Sequence, residues 1–206
     1  GGLFRDVTLV ATNPTTWFER HPLYITTTDN RIVEIQAEIA TRARINEVPM
    51  RTVVRDADGT VVYTSTKNVP INRKWRTMEL KTDSFVVENP RLWSCETPHL
   101  YTASVAILDA EGAVMDSVAH TFGIRTIEFS PEFGMKLNGE KVILKGIANH
   151  HTLGALGAAA YPRAIEKRLQ LLKEYGFNHI RTSHNPYSKS FMQLCDEYGF
   201  LVVDEL

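Results

Sequence analysis

Residues 177–206 have the sequence FNHIRTSHNPYSKSFMQLCDEYGFLVVDEL, and their pattern predicts a strand, a polar loop, a helix and a second strand. Four residues recur at i, i+3, i+4 and i+7, the spacing of one helix face: Phe191, Leu194, Cys195 and Tyr198. Gly199 follows where a helix C-cap glycine belongs. The apolar run 200–203 is typical of a strand buried on both faces. Polar residues follow both strands, and α/β folds build their sites at such strand ends.

The same alternation begins earlier in the chain, after a hairpin predicted over residues 133–144 from the turn signal Asn138-Gly139. Residues 141–147 predict a strand, and Pro162 suits the first turn of the helix that follows. The resulting order β-α-β-α-β is how a (β/α)₈ barrel starts. A whole barrel takes about 250 residues, so we expect only its first three strands here.

The part of the chain that precedes this region has an all-β pattern. From residue 23 to residue 122 apolar residues alternate as they do in half-buried strands, most clearly over residues 33–39. Turn signals at residues 56–59 and 109–112 predict two hairpins. About seven short strands in roughly a hundred residues fit an immunoglobulin-like β-sandwich. Residues 11–22, with two prolines, predict a linker.

The composition is that of an ordinary globular chain of one or two domains, with 206 residues of which 43% are hydrophobic. The 23 basic and 24 acidic residues form no basic block, which makes nucleic acid and anionic membranes poor partners. No apolar run approaches the ~18–20 residues of a membrane span. The start of the chain has neither Met nor a leader-like segment, and we expect a piece of a longer protein. Cys95 and Cys195 fall in different predicted domains, and we predict neither a disulfide nor a zinc site.

Residues 178–186, NHIRTSHNP, together with LCD, G and VVDE between residues 194 and 205, resemble a signature of glycoside hydrolase family 2. This family contains the retaining β-galactosidases, β-glucuronidases and β-mannosidases. Many of its members have Tyr at the position of Asn185. Residues 145–159, KGIANHHTLGALGAA, resemble the corresponding loop of the bacterial β-galactosidases in the family.

The resemblance implies a multidomain protein of the β plus α/β class. Residues 1–12 would be the last strand of an N-terminal jelly-roll sugar-binding domain, and residues 13–123 would form the immunoglobulin-like sandwich. Residues 124–206 would supply the first three strands of a TIM-barrel catalytic domain. Residues 89–101, NPRLWSCETPHLY, resemble a segment of the family's sandwich domain, and Trp93 is predicted to be a buried anchor there.

Polar residues at the three predicted strand ends are the candidate site residues. They are Asn149, His150, His151, Arg181, His184, Asn185, Asp204 and Glu205. Imidazole, carboxamide and carboxylate groups match the hydroxyls of a sugar, which both donate and accept hydrogen bonds. A guanidinium can hold a carboxylate through two parallel hydrogen bonds.

The resemblance implies that His150 and His184 contact the sugar and that Arg181 supports the catalytic acids. We include Asn185 among the sugar contacts. The other four residues are predicted to support the site: Asn149, His151, Asp204 and Glu205. For His151 a structural role is favoured over direct contact. For the two acidic residues, a strand-end cap or an ion pair with Arg181 is an equally open role.

Retaining glycosidases need two carboxyl groups about 5–5.5 Å apart, one as nucleophile and one as acid and then base. The resemblance implies that both are glutamates on later barrel strands, and no stretch here matches their motifs. We therefore expect these 206 residues alone to be inactive. The expected substrate of the longer enzyme is a β-galactoside oligosaccharide or glycoconjugate. No cofactor is expected for these residues, although the longer enzyme could bind a divalent cation or Na⁺. A homo-oligomer stays open. A periplasmic or extracellular location is favoured.

Alternatives from other classes stay open. A metal-dependent barrel hydrolase would use His150, His151, His184 and Glu205 as ligands, although adjacent histidines on a strand point to opposite faces. Residues 23–122 taken alone would suit a non-catalytic carbohydrate-binding or spacer module. Within the family, β-glucuronidase and β-mannosidase activities are the alternatives to β-galactosidase.

Overall fold

The computed structural model describes residues 7–71, 77–159 and 161–205. Contacts group the chain into two compact units. The first unit consists of Val10–Arg91 and Leu100–Thr126. The second unit contains Leu92–His99 and Ile127–Leu206.

The first unit is all-β, as predicted. Its described strands are β1 (Thr16–Thr28), β2 (Ile32–Thr41), β3 (Glu47–Arg55), β4 (Val61–Pro70), β5 (Thr77–Val86), β6 (Tyr101–Leu108) and β7 (Val114–Phe122). One antiparallel sheet has the order β1-β2-β5 and the other has the order β4-β3-β6-β7. Both predicted hairpins are present, with Gly59 and Gly112 at positive φ in their turns.

The linker predicted for residues 11–22 is wrong for its second half, because β1 begins at Thr16. Trp17 and Phe18 are buried and pair with β2, so their burial stabilises a strand there. Pro22 lies where the register of β1 shifts, between Phe18 and Leu23. A proline at such an irregularity removes no regular ladder hydrogen bond, which is why it does not end the strand.

A buried carboxylate joins strands of both sheets in the first unit. Asp83 of β5 is 2% exposed and accepts hydrogen bonds from Thr52 of β3 (2.5 Å) and from Tyr63 and Ser65 of β4 (2.8 Å each). Lys67 of β4 forms an ion pair with it at 2.9 Å. Burial raises the pKa of Asp83, but the hydrogen bonds from Thr52, Lys67, Ser65 and Tyr63 outweigh burial, so the pKa lies below its ordinary value.

The second unit contains a small antiparallel sheet followed by alternating strands and helices. Its strands are β8 (Ile127–Ser130), β9 (Gly134–Leu137), β10 (Glu140–Lys141), β11 (Gly146–Asn149), β12 (His179–Thr182) and β13 (Leu201–Val203), and its helices are α1 (Pro162–Glu174) and α2 (Lys189–Tyr198). The predicted turn between β9 and β10 is present, with Asn138 and Gly139 both at positive φ. Strands β11, β12 and β13 form a parallel sheet in that order, and this three-stranded sheet is not a closed barrel.

The helices pack against one face of the parallel sheet. The prediction that residues 200–203 are buried on both faces is wrong for the end of β13, because Val203 is 51% exposed. Six buried side chains form the core: Ile165, Leu169, Ile180, Phe191, Cys195 and Phe200. Pro162 opens α1, and the Ser188 side chain caps α2 by accepting a hydrogen bond from the Phe191 amide. Gly199 ends α2 in the left-handed conformation, as predicted.

The strand predicted from residue 141 starts later, since β11 begins only at Gly146. The intervening backbone forms hydrogen bonds elsewhere. The Val142 amide donates to the Met135 carbonyl, and the side chain of Asn178 bonds to the Lys145 amide and the Ile143 carbonyl. These bonds engage residues 142 and 143 and the Lys145 amide outside the parallel ladder, whereas the Lys145 carbonyl accepts a hydrogen bond from the Asn178 amide next to β12.

The segment Leu92–His99, which the sequence analysis assigns to the sandwich, packs within the second unit. Trp93 is 1% exposed, so its predicted burial is confirmed, but its Nε1 donates to the Asp196 carbonyl at 2.8 Å, a contact within the second unit and not in the sandwich where the anchor is predicted. Lys173 Nζ donates to the Cys95 carbonyl at 2.7 Å. Cys95 and Cys195 are both buried free thiols, and burial raises the pKa of Cys195.

Residues 7–12 form no strand in the structure, and residues 1–6 of the predicted jelly-roll strand lie outside the described residues. A strand satisfies its backbone hydrogen bonds through a neighbouring strand, and none pairs with residues 7–12 in the described part of the chain.

Among the helices that the structure describes, none has the length and apolar character needed to cross a bilayer.

Candidate active site

The parallel register of β11, β12 and β13 brings the polar strand ends together. Ala148 pairs with Arg181, which pairs with Val203, and Asn149 pairs with Thr182. Residues that follow these positions therefore emerge at one edge of the sheet. This is the edge at which α/β folds hold their ligands.

Glu205, which follows β13, is bonded to one residue of β12 and to one residue of the loop after β12. Arg181 Nε donates to Glu205 Oε1 at 2.5 Å, and Nδ1 of His184 lies 2.7 Å from Glu205 Oε2. The hydrogen bonds from Arg181 and then His184 hold the pKa of Glu205 below its ordinary value despite the opposing effect of desolvation. At neutral pH this residue is therefore an ionised carboxylate with both oxygens engaged.

The backbone that carries Glu205 is fixed by a buried threonine. Thr182 Oγ1 donates to Asp204 Oδ1 at 2.7 Å and accepts from the Glu205 amide at 2.8 Å. Asp204 thus accepts a hydrogen bond at the end of β13, and Glu205 forms an ion pair with Arg181.

His184, which is bonded to this carboxylate, faces a second histidine, His150. The ring centroids of His150 and His184 are 5.7 Å apart, and their planes are nearly perpendicular at 80°. Both residues are exposed, and the side chain of His184 is 66% accessible. His150 follows β11 and His184 follows β12, so two separate loops present one pair of imidazoles.

The remaining predicted residues occupy different environments. Asn185 is exposed, and His151 is half-buried in the loop that follows β11. Asn149 is only 6% exposed, and its side chain bonds to Arg168 of α1 (2.6 Å) and to Tyr187 (3.2 Å). Its side chain is therefore held inside the protein by contacts with α1 and with the segment that follows β12.

Sequence analysis missed Arg168 and Tyr187. The signal for Arg168 is its position three residues after Ile165 and one before Leu169, which places a cation beside the apolar stripe of α1. The signal for Tyr187 is its position directly after residues 178–186, the NHIRTSHNP segment of the family signature. Burial raises the pKa of Tyr187 to about 12, so its hydroxyl stays protonated at neutral pH.

The residues proposed as metal ligands do not form a metal site by their geometry. In the ranges that the structure describes, no group of three or more His, Cys, Asp or Glu side chains is arranged to hold a metal ion. An open apolar depression of about 540 Å³, lined in part by Phe129, Met135 and Leu144, lies before β11. Its lining residues Val142 and Leu144 precede β11, whereas the polar candidate residues lie at or after the carboxyl ends of the strands.

Comparisons with known proteins agree with this organisation. Residues 11–125 match the family described as glycosyl hydrolases family 2, and residues 132–206 match its TIM barrel domain. Over 124 residues, 60% of this chain, the sequence is 44% identical to the β-galactosidase BoGH2A of Bacteroides ovatus and covers 14% of it.

Solved structures show the same fold over nearly the whole chain. A glycosyl hydrolase family 2 member from Bacteroides cellulosilyticus superposes with a TM-score of 0.84 at 35% identity, covering 94% of this chain and 27% of that one. A β-glucuronidase of Bacteroides uniformis superposes with a TM-score of 0.80 at 26% identity, covering 92% of this chain and 24% of that one.

The class of protein that the fold and these matches define is the glycoside hydrolases. The first match alone spans more than half of the sequence. The chain belongs to glycosyl hydrolase family 2, as the signature in residues 178–205 predicts. It spans only 14% of the Bacteroides ovatus relative and 27% of the Bacteroides cellulosilyticus structure.

Proposed function

We propose that this chain is part of a retaining β-glycosidase that hydrolyses terminal β-galactosides, and that the ends of β11, β12 and β13 form one side of its sugar-binding site. The observation that supports this proposal best is the Glu205 carboxylate, which is bonded to Arg181 and His184, with the His150 ring 5.7 Å from the ring of His184. A sugar ring presents several hydroxyls, and this group of side chains offers donors and acceptors on one edge of a rigid sheet.

His184 has a defined protonation pattern in this arrangement. An ionised carboxylate only accepts hydrogen bonds, so Nδ1 of His184 carries the proton that lies between the two groups. In the neutral ring Nε2 is then an acceptor, and it is available to a sugar hydroxyl. Glu205 thereby orients the imidazole, as carboxylates commonly orient histidines in functional sites.

Glu205 itself is not proposed as the proton donor. The acid of a retaining glycosidase must keep its proton near neutral pH, which requires a raised pKa. The pKa of Glu205 is lowered, first by Arg181 and then by His184. We therefore assign Glu205 to the organisation of the site and the two catalytic glutamates to later strands of the barrel.

Arg181, Asn149 and Asp204 complete the proposed support of the site. Arg181 holds Glu205 by charge, while Asn149 and Asp204 fix the ends of β11 and β13 through Arg168 and Thr182. Asn185 is exposed beside His184 and is proposed as a further sugar contact.

The choice of a β-galactoside as substrate rests on the similarity of β11 and the loop that follows it to the corresponding segment of bacterial β-galactosidases. Residues 145–159 resemble the loop of bacterial β-galactosidases, and the Bacteroides ovatus relative carries that name. The β-glucuronidase of Bacteroides uniformis supports a second candidate, cleavage of β-glucuronides, because it shares the fold at a TM-score of 0.80.

The test is hydrolysis of nitrophenyl glycosides by the full-length enzyme that contains this chain. We expect the β-galactoside to be cleaved with the highest kcat/KM and with retention of configuration at the anomeric carbon. A clear preference for β-glucuronide or β-mannoside would replace the substrate while leaving the family unchanged. Inversion of configuration would refute the retaining mechanism.

A further inference from the structure

One side chain of helix α1 holds the backbone of the loop that carries His150 and His151. Arg168 Nη1 donates to Asn149 Oδ1 at 2.6 Å and to the His150 carbonyl at 3.3 Å. Its Nη2 donates to the Thr152 carbonyl at 2.7 Å. A single guanidinium therefore binds three acceptors in residues 149–152, the segment that contains both histidines.

The chemistry of arginine suits this task. Its donors lie in one plane in a fixed fork, so a single side chain can fix several acceptors relative to one another. The three acceptors are neutral oxygens, two of them main-chain carbonyls. These contacts therefore define a geometry of the loop and do not neutralise a charge.

The guanidinium is anchored to the core by its neighbours in the helix. Ile165 is 5% exposed and Leu169 is 0% exposed, and both pack in the cluster that contains Ile180 of β12. Because close-packed cores resist displacement, α1 holds Arg168 at a nearly fixed distance from β12.

The opposite side of Asn149 is held from the region after β12. The Ser183 amide donates to the Asn149 carbonyl at 2.8 Å, and the Tyr187 hydroxyl donates to the same carbonyl. The Tyr187 ring packs on Phe191 of α2, with centroids 4.5 Å apart. The last residue of β11 is thus held from both sides, and His150 is the next residue.

We propose that Arg168 is a positioning residue for sugar binding, which holds the loop backbone from Asn149 to Thr152 and so sets the separation of His150 from His184. The inference rests on the proposed function, because it takes these two histidines as sugar contacts. Their ring centroids lie 5.7 Å apart on two different loops, and this separation depends on the register of β11 and β12 and on the contacts that Arg168, Ser183 and Tyr187 make with the backbone and side chain of the loop. Removing the guanidinium frees the loop on one side only.

The experiment compares three variants of the full-length enzyme: Arg168→Gln, Arg168→Lys and Arg163→Gln. Arg163 is exposed in the first turn of the same helix and serves as the matched control. We expect Arg168→Gln to raise KM for the nitrophenyl β-galactoside by about 10-fold, since loss of one well-placed hydrogen bond to a ligand weakens its binding by roughly that factor. The change in kcat should be much smaller, which is the pattern of lost ground-state binding.

Arg168→Lys separates geometry from charge. Lysine keeps the positive charge but presents a single ammonium, which cannot span the three acceptors in a planar fork. We expect its KM to stay close to that of Arg168→Gln, and KM of Arg163→Gln to match the wild type. A wild-type KM in Arg168→Lys would overturn the geometric role.

Amide hydrogen exchange provides a readout that is independent of activity. Exchange in residues 150–153 should accelerate in Arg168→Gln, while α1 and β12 stay protected. Unchanged exchange in that loop, or a lower melting temperature with wild-type KM in the folded fraction, would overturn the proposal. If the wild type cleaves no glycoside, the proposed function fails. Accelerated exchange in Arg168→Gln would then still show that Arg168 holds the loop backbone from Asn149 to Thr152.

Discussion

The buried carboxylate of the first unit allows a quantitative test of how that unit is stabilised. Asp83 accepts hydrogen bonds from Thr52, Tyr63 and Ser65 and pairs with Lys67 at 2.9 Å. The perturbation is Asp83→Asn, which keeps the shape of the side chain and removes its charge. The hydroxyls can rotate, so that those facing the amide oxygen donate to it and one facing the amide nitrogen accepts from it, but Lys67 loses its counter-charge.

The expected cost follows from burial. Removing one member of a fully buried ion pair costs about 3–5 kcal/mol. The side chain of Lys67 is 46% exposed and can be rehydrated, while that of Asp83 is 1% exposed. The lower end, about 3 kcal/mol, is therefore expected. With a urea dependence of about 1.5 kcal/mol/M, the midpoint of unfolding falls by about 2 M.

The assay is urea unfolding of the chain, followed by amide exchange in β3, β4 and β5 so that the first unit is observed directly. Glu34→Gln is the matched control, because Glu34 pairs with Lys81 at the surface of the same sheet. Exposed pairs contribute little to stability, and the control should unfold close to the wild type. Indistinguishable midpoints for Asp83→Asn and Glu34→Gln would refute the reasoning.

The pH dependence of the same variant has a defined sign. Because the pKa of Asp83 is lowered in the folded state, its contribution is present above the unfolded value of about 3.9. The contribution is lost as the pH falls through the folded pKa. The difference in unfolding free energy between wild type and Asp83→Asn should thus be constant from pH 7 to pH 5 and shrink only below about pH 4. A difference that already declines between pH 7 and pH 5 would contradict this assignment.

Three further predictions concern the second unit. His184→Ala in the full-length enzyme should lower kcat/KM by roughly 10- to 100-fold through a lost hydrogen bond. The melting temperature should stay unchanged, because the His184 side chain is exposed. Wild-type kinetics would show that His184 does not contact the substrate. Gly199→Ala should destabilise the second unit in thermal unfolding, since φ is +72° and a Cβ would lie 2.3 Å from the Cys95 carbonyl oxygen; Gly176→Ala, at φ +80° with open space, is the control that separates strain from collision. The 206 residues alone should not hydrolyse β-galactosides at high protein concentration, and turnover that co-purifies with this chain would contradict the placement of both catalytic glutamates elsewhere.

Local signals in the sequence were reliable because the interactions behind them are local. The turn at Asn138-Gly139, the start of α1 at Pro162 and the end of α2 at Gly199 all appear as predicted. Each depends on backbone conformations within about one turn of chain. The apolar periodicity of α2 likewise identified Phe191 and Cys195 as core residues.

The errors arose where partners distant in sequence compete for the backbone. Two prolines suggested a linker, yet the burial of Trp17 and Phe18 extends β1 back to Thr16. The apolar run from residue 141 suggested one strand, yet Asn178 and β9 bind part of it and delay β11 to Gly146. Such competition has no local signature.

The sequence by itself determined the family and which polar residues meet at one sheet edge, because side chains that follow parallel strands share an edge whatever their detailed contacts. Only the tertiary structure decided how those residues divide their work. It pairs Glu205 with Arg181 and His184, and it turns Asn149 toward Arg168 of helix α1. These pairings join residues about twenty positions apart. Their distances depend on how α1 packs against the sheet and on the register of β12 and β13, which no single stretch of sequence specifies.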